Sequence, residues 1–135
     1  HSTFDGCGAP LHLMSLQGLA RSIGKFAKKE IDIRDAMLAN PWVVDDHGAS
    51  DTLVMEQGML AKIGAEGVFV IGLSTGHGVA VKVADGTFRP AGLAAITILQ
   101  RQGLIEQKVF EELAKKLGTS SLGGAQVLGS LEICF

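Results

Sequence analysis

Residues 62–86 limit the fold more than any other stretch of the chain. Two apolar, β-branched runs, Val68 to Leu73 and Val79 to Val83, flank a Ser74-Thr75-Gly76-His77-Gly78 break. Runs of that length meeting at a short polar, glycine-containing break read as a β-hairpin. Met59 to Ile63 leads into it, and Asp85-Gly86 is a turn signal leading out. The expectation is an antiparallel meander with strands near 60–63, 67–73 and 78–84, joined in the same sheet by Val127 to Ile133.

Lys62 and Lys82 interrupt strands that are otherwise apolar, and Gly64-Ala65-Glu66-Gly67 follows the first of them directly. Small residues beside a strand lysine let another backbone or a ligand come close. Equally, both lysines can be outward residues of a half-exposed sheet, with the glycines serving turns.

Helical periodicity surrounds the meander. Leu13, Leu16, Leu19, Ala20, Ile23, Phe26 and Ala27 recur on one stripe, with Arg21, Lys25 and Lys28 opposite. This predicts an amphipathic helix of about four turns. Asp32 is placed to cap a second helix, Ile33 to Asn40, which Pro41 stops; Trp42 to Gly48 then reads as a loop. Ser50 and Asp51 look like the cap of a short third helix through Gln57. Beyond the strands, Arg89-Pro90 opens a helix closed by Gly103, and a last helix covers Gln107 to Leu117. Ala125 to Phe135 alternates loosely and reads as a final strand. Helices, then strands, then helices make the fold class α+β rather than a βαβ array.

A chain of 135 residues, 47% of them hydrophobic, is enough for one domain with a sizeable core. Lys and Arg number 12 against 14 Asp and Glu, so there is no electrostatic case for nucleic acid or an anionic membrane as partner. No apolar run is long enough for a membrane span, and a cytoplasmic location is expected. The chain opens His1-Ser2-Thr3-Phe4 and looks like a cut piece.

Chemistry-bearing residues are sparse. Cys7 sits in the turn cluster Phe4-Asp5-Gly6-Cys7-Gly8-Ala9-Pro10. Its thiolate can ligate zinc or act as a nucleophile beside a base, and a lone cysteine is also commonly a small buried hydrophobe. Cys134, in an apolar segment, reads as a core residue. His12, His47 and His77 read as surface histidines, and Asp45-Asp46 is only one acidic pair in a loop. Glu66 can be an acid or base, can orient a lysine, or can be a turn residue.

Three motifs in order carry a resemblance: Asp5-Gly6-Cys7-Gly8-x-Pro10; Lys62-x-Gly64-Ala65-Glu66-Gly67-Val68 with Gly72; and Gly78-x-Ala80-x-Lys82-x-x-Asp85-Gly86 with Arg89. Together with Ala36-Met37-x-x-x-Pro41 and the segment from Asp51, they resemble the C-terminal part of the thermolabile, Rhizobium-type L-asparaginase family. That family is similar in fold to serine β-lactamases and glutaminases, an antiparallel sheet with helices packed around it. Its members are considerably longer, so residues 1–135 are expected to be a C-terminal portion of an asparaginase-type domain.

The resemblance implies hydrolysis of asparagine to aspartate and ammonia by a serine nucleophile on a Ser-x-x-Lys helix, aided by a second Ser/Lys pair, with a zinc held by two cysteines and a lysine. Carried over by position, Cys7 matches a zinc-binding cysteine, Asp5 its neighbouring carboxylate, and Lys82 the strand lysine of the second pair. Lys62 and Glu66 fall in the motif as candidate substrate contacts, without an assigned role. A lysine in a dry, glycine-lined site gives up its proton more readily and can serve a serine as base. A soft thiolate suits zinc. The nucleophilic serines and the other zinc ligands belong to the N-terminal part. Ser22-Ile23-Gly24-Lys25 has the Ser-x-x-Lys spacing but falls on the basic side of an amphipathic helix, a coincidence.

The implied partners are asparagine and either a second copy of the chain or the N-terminal part, because helices covering the sheet are missing. Zinc binding by these residues alone is expected to be weak or absent. The competing reading is a non-catalytic, β-lactamase-like module that binds an amino acid or a partner protein.

Overall fold

The meander forms as three antiparallel strands, β3 (Leu60–Gly64), β4 (Val68–Gly72) and β5 (Gly78–Lys82). This is a computed structural model, and it describes residues 2–4, 8–118, 120–123 and 126–134. Register runs from Leu60↔Gly72 to Gly64↔Val68, and from Val68↔Lys82 to Gly72↔Gly78. Successive side chains alternate between faces of a sheet. One face therefore carries the rows Leu60–Gly72–Gly78, Lys62–Val70–Ala80 and Gly64–Val68–Lys82. The other carries Ala61–Ile71–Val79 and Ile63–Phe69–Val81.

Around it lie α1 (Leu16–Lys29), α2 (Ile31–Ala39), α3 (Pro41–Val44), α4 (Ser50–Met55), α5 (Ala91–Arg101) and α6 (Gln107–Leu117). Helix α1 begins where Ser15 Oγ accepts the Gly18 N–H at 3.0 Å, and ends in Lys28 and Lys29, where cations suit the helix dipole. It crosses the Gly72–Gly78 end of the sheet. A Cβ on Gly72 would stand 2.6 Å from the Ile23 carbonyl oxygen and 2.9 Å from Ala27 Cβ, and Gly24 and Gly78 are tighter still. Helix and sheet thus meet backbone to backbone. Helix α5, backed by α6, packs against the other face, where Phe69, Ile71, Ile96, Leu99 and Leu113 make the fully buried core.

Several expectations shift. The loop at Trp42 begins with the short helix α3, and Asp32 lies in the first turn of α2 rather than at its cap. The segment 127–133 does not join the meander. β7 (Gln126–Ser130) pairs antiparallel with β6 (Ser120–Gly123), just as β1 (Ser2–Phe4) pairs with β2 (Pro10–His12), in separate two-stranded ribbons. A partner a few residues away costs less loop-closure entropy than one in the distant meander. Leu131 and Ile133 then return to the core, while Cys134 is exposed rather than buried. Ala125 and Phe135, the ends of the expected final strand, lie outside the described residues.

Gly78→Ala should cost about 3 kcal/mol or more in urea unfolding, because its methyl must displace the α1 backbone. Gly129→Ala, with open space around it, should stay within about 0.5 kcal/mol. Equal effects would show that the close approach is not a determinant of the fold.

Candidate functional site

Lys62 and Lys82 share the face that α1 leaves uncovered at its far end, one row apart and on the two outer strands. From strand spacing and rise, their Cα atoms are about 12 Å apart.

The two ammonium groups are held differently. Lys62 Nζ donates to Asp51 Oδ2 at 3.0 Å; the lysine side chain is 44% exposed and the aspartate fully buried. The same oxygen accepts the Ile63 N–H at 3.2 Å, and Asp51 Oδ1 accepts the Thr52 N–H at 3.1 Å. One carboxylate thereby joins the first turn of α4 to the outer edge of β3 and to Lys62. Its neighbour Thr52 donates through Oγ1 to the carbonyls of Asp45 at 3.1 Å and Pro41 at 3.4 Å, which fastens α3 and the following loop to α4.

Asp51 is the residue that sequence reasoning missed as part of the site. It was expected at a helix cap beside Ser50, but the cap position is Ala49 and Asp51 lies in the first turn, turned inward. The available signal was Lys62 itself, since a cation inside an apolar strand calls for a counter-charge.

Lys82 is exposed rather than dry. Its Nζ donates to the backbone carbonyls of Glu66 and Val83. β5 is an edge strand of the three-stranded sheet. Two donated hydrogen bonds leave one tetrahedral position of the nitrogen free for another group. Glu66 is brought to Lys82 through its carbonyl. Its side chain is exposed and its backbone left-handed at φ 57°. Of the two close approaches that the glycines allow, another backbone takes the space beside Gly67, with Thr87 O 2.6 Å from where a Cβ would stand.

Asp5 and Cys7 lie outside the described residues. Among the described residues no group of three or more His, Cys, Asp and Glu side chains is placed to hold a metal ion. His12, His47 and His77 are exposed, as expected; His47 stacks on Trp42 with centroids 5.7 Å apart, and His77 Nδ1 is 2.9 Å from Thr75 Oγ1. The Ser22 hydroxyl donates to the Gly18 carbonyl of its own helix on the exposed side. No described helix is long and apolar enough to cross a membrane.

The antiparallel meander and its surrounding helices make an α+β module with two lysines on one sheet face. The L-asparaginase II family model matches residues 1–133. The chain belongs to the L-asparaginase II family, as its three motifs lead one to expect, and is of the asparaginase type of amidohydrolase. Among curated proteins, none matches it.

Burial alone would raise the Asp51 carboxyl, but hydrogen bonds from Lys62 and the Ile63 N–H, with the Lys62 charge, outweigh it and hold the group below its ordinary value of 3.8. A carboxyl lowered on folding stabilises the protein above its unfolded pKa and loses that contribution as pH falls through the folded value. Asp51→Asn should therefore cost about 2 kcal/mol at pH 7 in urea titrations. The gap to the parent should narrow as pH is lowered below about 4. A gap independent of pH would show that the aspartate's charge contributes nothing.

Proposed function

We propose that these residues form the lysine-bearing wall of an active site that hydrolyses the side-chain amide of asparagine to aspartate and ammonia. The observation that carries this reading is the family match across nearly the whole chain. The shared face of Lys62 and Lys82 adds physical support.

The nucleophilic serine belongs to the whole gene product, outside residues 1–135, which are its C-terminal portion with a β-lactamase-like arrangement. Lys82 Nζ takes the serine hydroxyl proton as the oxygen attacks the amide carbon. The tetrahedral intermediate collapses to an ester, and the proton passes to the departing nitrogen, which leaves as ammonia. Lys82 Nζ then takes a proton from water as it attacks the ester and returns that proton to the departing serine oxygen, which yields aspartate and free serine. Lys62 takes the substrate's α-carboxylate, and Asp5 and Glu66 supply carboxylates to complement its α-ammonium. Cys7 would supply one thiolate ligand to a zinc, and the metal's charge would attract a substrate carboxylate. The exposed apolar side chains Ile31, Ile33, Trp42 and Val43 support association, with a second copy or with the rest of the gene product.

In the whole gene product, Lys82→Ala should lower kcat on asparagine by roughly 100-fold or more with a smaller change in KM, the size expected for a lost general base. Cys7→Ala should lower bound zinc, measured by elemental analysis, and raise KM. Unimpaired turnover in Lys82→Ala would overturn the assignment of the base. Asparagine binding without turnover in the parent would favour the amino-acid-binding module.

A further inference from the structure

Asp51 is fully buried, yet the proposed reaction does not use it. Burying a carboxylate is costly unless its partners require it. Three donors reach it: Thr52 N–H, Ile63 N–H and Lys62 Nζ. The two amides need only acceptors, and the single oxygen of an asparagine side chain serves one of them. Only the lysine needs the charge. The consequence falls on Lys62, a side chain with four rotatable bonds that is now fixed at both ends, by β3 and by Asp51. One ammonium hydrogen is committed, and two remain for a ligand on the open face.

We infer that Asp51 is a positioning residue that makes Lys62 a ruler for substrate length. This rests on the reading of Lys62 as the α-carboxylate anchor. With the anchor fixed and the reacting corner fixed at Lys82 by two backbone carbonyls, the span between them suits one chain length. Asparagine and glutamine carry the same α-carboxylate, α-ammonium and amide, and differ by one methylene. A tethered anchor puts the amide carbon of the shorter one at the nucleophile and carries that of the longer one past it. Release of Lys62 from Asp51 lets the ammonium shift by the length of a methylene and removes that discrimination.

The test uses the whole gene product and measures kcat/KM for asparagine and glutamine in the parent, Asp51→Asn, Asp51→Ala and Lys62→Met, with thermal unfolding of each. The ratio between two substrates cancels the fraction of folded enzyme, so simple loss of stability cannot mimic the effect. Asp51→Asn keeps an acceptor for the Ile63 N–H and serves if Asp51→Ala does not fold. The expected result is a fall of roughly tenfold in asparagine preference for the Asp51 variants, the lower end of what one methylene is worth. Lys62→Met should weaken both substrates. An unchanged ratio in the Asp51 variants, with Lys62→Met impaired, would overturn the ruler while leaving the anchor intact. If Lys62→Met handles both substrates normally, the anchor itself is wrong and the ruler falls with it.

Discussion

Helix α1 lies so close to the sheet that only glycine and small side chains such as Ala27 fit where they cross. Gly24 on the helix and Gly72 and Gly78 on β4 and β5 remove the methyl groups that would hold the backbones apart. This close approach has a geometric consequence for the rest of the molecule. A helix seated on one end of a short sheet leaves the other end of the same face to other neighbours, and Val70 there is still buried. The rows left there are those of Lys62 and Lys82. The opposite face, with Phe69 and Ile71, is closed by α5 and α6 and carries the hydrophobic core. The meander is therefore covered on one side and half covered on the other.

On the open part, electrostatics is organised by what each lysine can reach. Lys62 turns to the buried carboxylate at the sheet edge, and Lys82 to carbonyls of the turn beside it. The Asp51 carboxylate also occupies the outward N–H of β3, so one group closes a sheet edge and sets a cation in place. Such edges otherwise present unpaired donors to any extended chain. Thr52, next along, locks the α3 loop by donating to two carbonyls. A six-residue helix thereby ties the loop before it to the strand after it.

Much of this was legible in the sequence. The β-branched runs and their glycine breaks gave strands within a residue or two of those found, because local hydrophobic patterning and turn chemistry agree there. Helix α6 was placed residue for residue at 107–117. The partner of the final strand was not legible, since the alternation of Val127, Leu128 and Leu131 says that a strand forms but not what it pairs with. Asp51 was read as a cap because Ser-Asp before an apolar run is a common capping pattern. Its true partner, Lys62, is a tertiary contact across 11 residues. Gly67 looked like room for a ligand, but the space belongs to the 86–87 backbone. That distinction depends on where a distant turn comes to rest.

The central claim is that the open, lysine-bearing end of the meander face receives an amino acid by its carboxylate. The most direct measurement is a crystal structure of the whole gene product with L-aspartate, the reaction's product, bound. The account predicts an α-carboxylate oxygen about 3 Å from Lys62 Nζ, with Lys62 still bonded to Asp51 and the aspartate side chain directed toward Lys82. Aspartate bound away from this face, or Lys62 swung off Asp51 to meet it, would contradict the account.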